Sequence, residues 1–366
     1  MTTTTTKSIG NGAPADDAAA RDALAQRLLS ANIAAYEVAC VYLGERLGLY
    51  RALAEGARTS AELADALALD ERYVREWLDQ QAVAGILGAE GEPRRYRLPA
   101  GHKEVLVERD SIAHLAPLSR FTVGVYSGLP LLLRAFRTGE GVPYVAYGDD
   151  AREGQAEVNR TMFVNLLGQE WLPRLPEVHA RLQRGGRVAD VGCGTGWSSI
   201  ALARAYPEAR VDGYDLDAPS VELARAAAKA EGLEARVRFR AMDAAALVPV
   251  ERYDLVTVFE AVHDMARPVE ALRAMRALVR HEHRAARGEE RAQERFTAPG
   301  PESEWLFFGW SVLFCLPTSR EQEGSAATGT AMRPATMEAY AREAGFSRVE
   351  VAPIEHDLWR FYLLRP

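Results

Sequence analysis

The chain has 366 residues and a formal net charge of −7. That length allows two domains and a sizeable core, and the acidic balance supplies no global field toward nucleic acid or anionic membrane. Three scattered cysteines, Cys40, Cys193 and Cys315, argue against a disulfide framework or a cysteine-ligated zinc and fit a reducing, cytoplasmic setting.

The first stretch, MTTTTTKSIGNGAPADD, has no apolar signal-type run, so 1–20 is expected to be a disordered tail. No apolar run is long enough to span a bilayer, and no membrane partner is expected. From 21 to 110 the periodicity is helical. An amphipathic segment, Leu43 to Gly56, stops at glycine. Thr59 or Ser60 can cap the next helix, with Glu62 in its first turn, and Asp70 opens another with Tyr73, Val74, Trp77 and Leu78 on its apolar face. Two β-like pieces around a turn follow in GILGAEGEPRRYRLP. Helix, helix, helix, wing is the winged-helix order.

A DNA-reading domain should present an excess of cations to phosphates. Residues 21–110 carry 12 Arg+Lys against 15 Asp+Glu, a balance of about −3. The candidate recognition helix has Asp70, Glu71, Glu76 and Asp79 against Arg72 and Arg75. No nucleic-acid partner is expected, and the domain is expected to pack against a second copy of the chain. Residues 111–183 read as helical and aromatic-rich, a bridge between domains. Phe163 and Trp171 are either pocket-lining there or ordinary core.

The last domain is expected over 184–366. Strands are predicted at Val188–Val191, Val211–Tyr214, Val237–Arg240 and Leu255–Phe259, with two late ones at Arg348–Ile354 and Leu358–Leu364. Helices alternate with them, so the fold class is α/β: a Rossmann-like, doubly wound, mostly parallel sheet, here preceded by the winged-helix domain. An apolar run ends in Asp190, a loop with Gly192, Gly194 and Gly196 follows, and nineteen residues after Gly196 a second apolar run ends in Asp215. This is the plan of a nucleotide-binding unit. A dinucleotide fingerprint would need glycine at Trp197, and no Walker lysine follows.

The pattern D-x-G-x-G-x-G from Asp190 to Gly196 instead resembles motif I of the class I S-adenosylmethionine (SAM) methyltransferases. The winged-helix-plus-sheet order resembles their small-molecule O-methyltransferases, whose N-terminal domain dimerises. The resemblance implies SAM as cofactor, an antiparallel edge hairpin, helices closing over a small-molecule substrate, and a homodimer. The chemistry of SAM then assigns the site. Asp215 is expected to accept the ribose hydroxyls, Leu216 to lie against adenine, and Asp243 beside Ala244 to accept from the adenine amine. The glycine loop admits the amino-acid tail, whose ammonium Asp190 holds directly or through water. Phe259 and Glu260 end the fourth strand at the same crevice.

His263-Asp264 follows that strand and matches the His-Asp-Trp motif of the O-methyltransferases, with Met265 in place of tryptophan. In that family the histidine deprotonates the substrate hydroxyl, a role suited to imidazole. The other reading of His263 is a cap or cofactor-side residue that moves no proton. Adjacent residues of a helix do not face each other, so Glu260 or a carboxylate from another element is expected to orient the ring, rather than Asp264. His356, between Glu355 and Asp357, has the spacing of a hairpin connection, and no metal is expected.

One segment breaks the pattern. Between His281 and Glu294 there is no Val, Ile, Leu, Met or aromatic residue, where a central fifth strand should be nearly all apolar. A charged helix or a disordered loop is expected instead, from a compensated frameshift in the gene or a genuine insertion. Methyl transfer to a hydroxyl is the preferred function. The alternative is a SAM-binding protein without methyl transfer, a regulator or a degenerate enzyme.

Overall fold

The computed structural model describes residues 15–248 and 252–366. Two compact units divide it, Met1–Pro99 and Ala100–Pro366. Of the expected tail, 1–14 lie outside the described residues. Residues 15–20 are helical rather than irregular, because the alanine-rich run after Pro14 has high helix propensity.

The first unit contains α1 (Ala15–Arg46), α2 (Leu49–Ala54), α3 (Ser60–Leu67) and α4 (Glu71–Val83), then the wing strands β1 (Gly88–Glu90) and β2 (Arg95–Arg97), paired antiparallel. Thr59 caps α3 in a reciprocal capping box with Glu62, and Asp70 caps α4 through the Tyr73 amide. Leu49, Leu53, Leu63 and Leu78 are buried around an edge-on Tyr50–Trp77 pair. The Trp77 indole donates to the Cys40 carbonyl at 2.8 Å. Gly44 permits this crossing, since a Cβ there would lie 2.6 Å from the Trp77 ring. Two wing arginines pair with acids, Arg94 with Asp79 and Arg95 with Glu62.

The second unit begins earlier than the expected boundary at 110. Its first helix, α5 (Ala100–Leu106), is tied forward: Leu115 N–H donates to the Val105 carbonyl at 2.9 Å. The cover helices follow: α6 (Ala116–Ser127), α7 (Leu129–Thr138) and α8 (Gly148–Met162), which runs into a π-helical stretch, Phe163–Trp171. After α9 (Pro176–Gln183) come β3 (Arg187–Val191), α10 (Trp197–Ala205), β4 (Arg210–Asp215), α11 (Ala218–Ala230), β5 (Val237–Ala241), β6 (Tyr253–Phe259), α12 (Pro268–Leu278) and β7 (Val279–Glu290). The chain ends with α13 (Glu302–Trp310), a π segment Ser311–Cys315, α14 (Leu316–Ser319), α15 (Pro334–Glu343), β8 (Arg348–Val351) and β9 (Trp359–Arg365). The sheet order is β5-β4-β3-β6-β7-β9-β8. The pairs from β5 to β7 are parallel, and β9 is antiparallel to both β7 and β8. The reversal of strand order between β4 and β6, on either side of β3, opens a crevice at the strands' carboxyl ends.

The expected charged helix or loop is not formed: Val279–Glu290 is a strand in the middle of the sheet. Its register against β6 shifts between Tyr253, opposite Val279, and Leu255, opposite Arg284. Both neighbours supply its backbone partners, and β6 is buried throughout. Gly288 leaves room for the rings of both neighbours. A Cβ on Gly288 would lie 3.1 Å from both the Phe259 and the Phe361 rings. Tertiary pairing therefore overrides the missing strand propensity.

Candidate active site

Gly192 and Gly194, at φ 69° and 53°, turn the chain from β3 toward α10 in a conformation favouring glycine. A Cβ on Gly192 would meet that of Ala261 at 2.6 Å, whereas Gly194 faces open space. The loop is pinned from β4: Gly194 N–H donates to Asp215 Oδ2 at 2.7 Å, and Asp217 N–H to Asp215 Oδ1 at 2.9 Å. Burial pushes the Asp215 carboxyl up, against the pull of these two donors. The crevice so framed has a volume of about 590 Å³.

Gly192, Gly194, Asp215, Leu216, Asp243, Ala244, Phe259 and Glu260 all line it. Leu216 is exposed on its wall. Asp243 takes the Ala245 amide on Oδ1 and pairs with Arg267 through Oδ2. Three expected residues are not on this wall. Asp190 is buried beneath the loop, with Oδ2 accepting from Ser198 Oγ at 2.6 Å and Ser199 Oγ at 2.7 Å, and Oδ1 from Thr257 Oγ1 at 2.8 Å. It ties β3, β6 and α10 together. Gly196, the cap of α10, is held by close approach to Phe239 at 2.6 Å from a notional Cβ. His263 lines a different cavity.

The cover contributes residues that sequence reasoning missed. Arg152 on α8 donates to Asp217 Oδ2 at 2.9 Å and to Asp149 at 2.7 Å, and its guanidinium lies 5.5 Å from the Tyr144 ring centre. Arg152, Tyr144 and Asn159 line the crevice, but nothing in their local sequence marks them. Phe163 lines it too. Trp171 instead packs in the core against Trp359 and Phe361. His356 Nδ1 accepts the Trp359 amide at 3.1 Å, and burial lowers its pKa, as befits a neutral turn residue.

A second, smaller cavity of about 70 Å³ adjoins the crevice; Gln155, Asn159 and Glu260 line both. Its walls include Phe121, Met162, Trp310 and Trp359, with His263, Glu290 and Cys315 among the polar groups. His263 Nδ1 is 2.6 Å from Glu289 Oε2 and 3.2 Å from Glu290 Oε2, while Nε2 is 3.2 Å from Asp264 Oδ1. Carboxylates from another element, β7, thus lie against the ring. Asp264 also approaches because residues 262–264 form a turn, not a helix. The signal for Glu289 and Glu290 lay at the end of the anomalous segment, where a strand-ending acid belongs.

Burial opposes a charged His263, but Asp264, Glu290 and Glu289 outweigh it and hold the imidazole well above its ordinary pKa. Burial also raises the Asp264 and Glu290 carboxyls, and Glu260 to about 7, the last against the pull of His263 and the Asn159 donor at 2.7 Å. Two sets of metal-ligating side chains meet at His263, with Glu289 and Glu290 and with Asp264 and Cys315, a convergence the sequence did not announce.

Residues 188–282 match a methyltransferase-domain family, and 35–108 match the Rv2258c-like winged HTH domain family. Among solved structures, the mitomycin 7-O-methyltransferase MmcR is similar over 95% of this chain and 99% of that one, with a TM-score of 0.69 at 20% identity. Human N-acetylserotonin methyltransferase, solved with SAM, is similar over 93% and 97%, with a TM-score of 0.69 at 18% identity.

The chain has a class I SAM-dependent methyltransferase fold behind a winged-helix domain.

A 117-residue stretch is 35% identical to the ubiquinone biosynthesis O-methyltransferase of Bordetella avium (strain 197N), covering 32% of this chain and 46% of that protein. A shorter one, 52 residues at 52% identity, matches the ribosomal RNA small subunit methyltransferase C of Salmonella choleraesuis (strain SC-B67) over 14% and 15%. The chain spans less than half the length of these curated relatives.

The crevice suits the cofactor of this methyltransferase fold. SAM carries a ribose diol, a sulfonium and an ammonium. Asp215 has been raised by burial and keeps acceptor capacity, and Asp264 Oδ1, also on the wall, is buried with no hydrogen-bond partner. A cationic, hydroxylated ligand relieves both.

Proposed function

We propose that this protein transfers the methyl group of SAM to a hydroxyl of a small, partly apolar acceptor. The supporting observation is the junction of the two cavities: a large crevice of carboxylates and open glycines meets a small aromatic-walled one at Glu260 and Asn159. In this reading Asp215 holds the ribose, Leu216 and Asp243 with Ala244 the adenine, and Gly192 and Gly194 admit the amino-acid tail. Bound SAM supplies an electrophilic methyl on sulfur, attacked by the acceptor oxygen as the carbon–sulfur bond breaks. The chain's own residues align the acceptor and remove its proton. Phe259 and Phe163, 5.3 Å apart between ring centres, wall the passage. Alignment is worth much of the rate because oxygen, methyl carbon and sulfur must lie in line. The ionisable cluster around His263 is the proton acceptor.

Calorimetric titration with S-adenosylhomocysteine, the demethylated product, tests the cofactor assignment, and product release with a panel of phenols tests the transfer. One site per chain and turnover of at least one phenol are expected. Binding without turnover of any acceptor would favour the SAM-binding alternative.

The same reading makes the protein a cytoplasmic homodimer that binds no nucleic acid. Its three cysteines are free, and among the described residues no helix is long and apolar enough to cross a membrane. Two of the three wing arginines, Arg94 and Arg95, are already paired with acids. A gel-shift assay at low salt, where phosphate contacts are strongest, should show no retarded DNA.

A further inference from the structure

We infer that Gln155 is a specificity-determining residue that reads a second oxygen on the acceptor, beside the hydroxyl that is methylated, so that the acceptor class is the ortho-dihydroxy aromatics. The inference rests on the methyl-transfer reading above.

Among the described residues, Gln155, Asn159 and Glu260 are the three that line both the crevice and the smaller cavity. They form the neck between the two. Gln155 and Asn159 stand a turn apart on one face of α8, and Arg152 lies on that face three residues before Gln155. Arg152 and Asn159 fasten α8 over the sheet. Arg152 Nε donates to Asp217 Oδ2 at 2.9 Å, and Asn159 Nδ2 to Glu260 Oε2 at 2.7 Å. Close packing against α6 holds the helix as well, since a Cβ on Gly154 would lie 2.4 Å from the Phe121 backbone nitrogen. Gln155 thus sits on a rigid element, between two anchors.

The anchors are already committed, and Gln155 is not. Glu260 accepts from Asn159, and its own backbone N–H donates to the Gly288 carbonyl at 2.9 Å. The Gln155 carboxamide makes no hydrogen bond among the described residues. It is half-buried, so solvent serves it while the neck is open. An acceptor filling the neck shuts that solvent out, and a carboxamide left stranded there is costly. The occupant must therefore bring a polar group of its own. A carboxamide offers one acceptor oxygen and two N–H donors, a set that a hydroxyl can answer in either sense.

The position of that group follows from the neck. The hydroxyl to be methylated must lie there, where the smaller cavity opens onto the crevice, to be in line with the methyl group. Gln155 borders both cavities at the same place, so the second oxygen lies beside the first. A para hydroxyl would be carried across the ring, past the walls of Phe121, Trp310 and Trp359, and out of reach of Gln155.

Catechol, hydroquinone and phenol test this on the full chain. Hydroquinone carries as many hydroxyls as catechol, so their number is controlled. Wild type should methylate catechol with kcat/KM about 10- to 100-fold above the other two, the range set by a buried polar group left unpaired. Most of the difference should lie in KM, as for an interaction made equally in the bound and transition states. In Q155L the preference should vanish, and Q155E, which keeps an acceptor oxygen, should restore part of it. Equal wild-type kcat/KM for catechol and hydroquinone overturns the inference, whatever the variants do. So does a Q155L chain that still prefers catechol. A loss of S-adenosylhomocysteine affinity in Q155L as large as its loss of catechol affinity assigns Gln155 to the cofactor and also overturns it. If none of the three is methylated, the methyl-transfer reading fails separately, and their dissociation constants from the S-adenosylhomocysteine complex still decide. Catechol should bind about 10-fold tighter than hydroquinone, and equal affinities or no binding overturn the inference.

Discussion

Asn159 donates its side-chain amide to Glu260 Oε2 at 2.7 Å, joining cover helix α8 to the end of β6 where the two cavities meet. Glu260 sits at positive φ, 48°, a strained backbone for a non-glycine residue that concentrates at functional sites. Its burial has a consequence for stability. The folded protein binds the Glu260 proton more tightly than the unfolded chain does, since the carboxyl is raised to about 7. The stability this gives is present below the unfolded glutamate pKa and lost as pH rises through about 7. E260Q, which cannot ionise, should therefore melt above wild type at pH 8 and close to it at acid pH. Thermal denaturation at both pH values checks this. A variant less stable at pH 8 would mean that the ionised carboxylate is stabilising.

Asp190 and Asp215 belong to one sequence motif but have separate duties. Asp190 satisfies three buried hydroxyls and is absent from the crevice wall, whereas Asp215 lines it. D190A should cost about 3 kcal/mol of stability, from buried donors left unpaired. D215A should cost less stability but weaken S-adenosylhomocysteine binding about 10- to 100-fold, the value of hydrogen bonds to a charged acceptor. Denaturant melts and calorimetry on both variants separate the two roles. Equal losses of affinity at equal stability would mean Asp190 also contacts the ligand.

The contrast shows what was legible. Glycine spacing, the acid ending β4 and the strand–helix alternation follow from local sequence rules, and so fixed the sheet, the crevice and most of its wall. The hydroxyl partners of Asp190 were not legible, because a motif gives a residue's position along the chain but not which neighbours claim its oxygens. Arg152 and Asn159 were missed because they arrive from a helix far away in sequence. The anomalous segment misled for the opposite reason: its own composition argues against a strand, and only β6 and β9 on either side make it one.

That strand should be sensitive to volume at Gly288. An alanine there would place its Cβ 3.1 Å from two aromatic rings. G288A should cost about 1–3 kcal/mol through overpacking. Because Phe259 is also a crevice residue, S-adenosylhomocysteine affinity should fall with it. A denaturant midpoint unchanged from wild type would show that the rings shift freely and that the sheet centre is loosely packed.

Metal dependence can be excluded or established directly. The 2.6 Å contact from His263 Nδ1 to Glu289 has hydrogen-bond length, which commits the ligating nitrogen of that group to a proton. Prolonged chelator treatment should leave turnover and melting temperature unchanged, and the purified chain should carry no stoichiometric metal by elemental analysis. Loss of activity restored by one divalent ion would assign that cluster to a metal instead.

The last expectation concerns α1, 32 residues long, with Leu24, Leu28, Leu29, Ile33 and Tyr36 exposed along it. Tyr36 is 71% and Ile33 60% accessible, more than a solvated helix gains from showing. A second copy of this chain would bury such a stripe, and the hydrophobic return on several leucine-sized side chains at about 1.5–3 kcal/mol each is enough to hold a dimer. Light scattering should give twice the chain mass at micromolar concentration. L28D/I33D should give a folded monomer, because neither residue is in the core of its own unit. A monomeric wild-type chain at that concentration would refute the dimer, and a dimeric double variant would place the interface elsewhere.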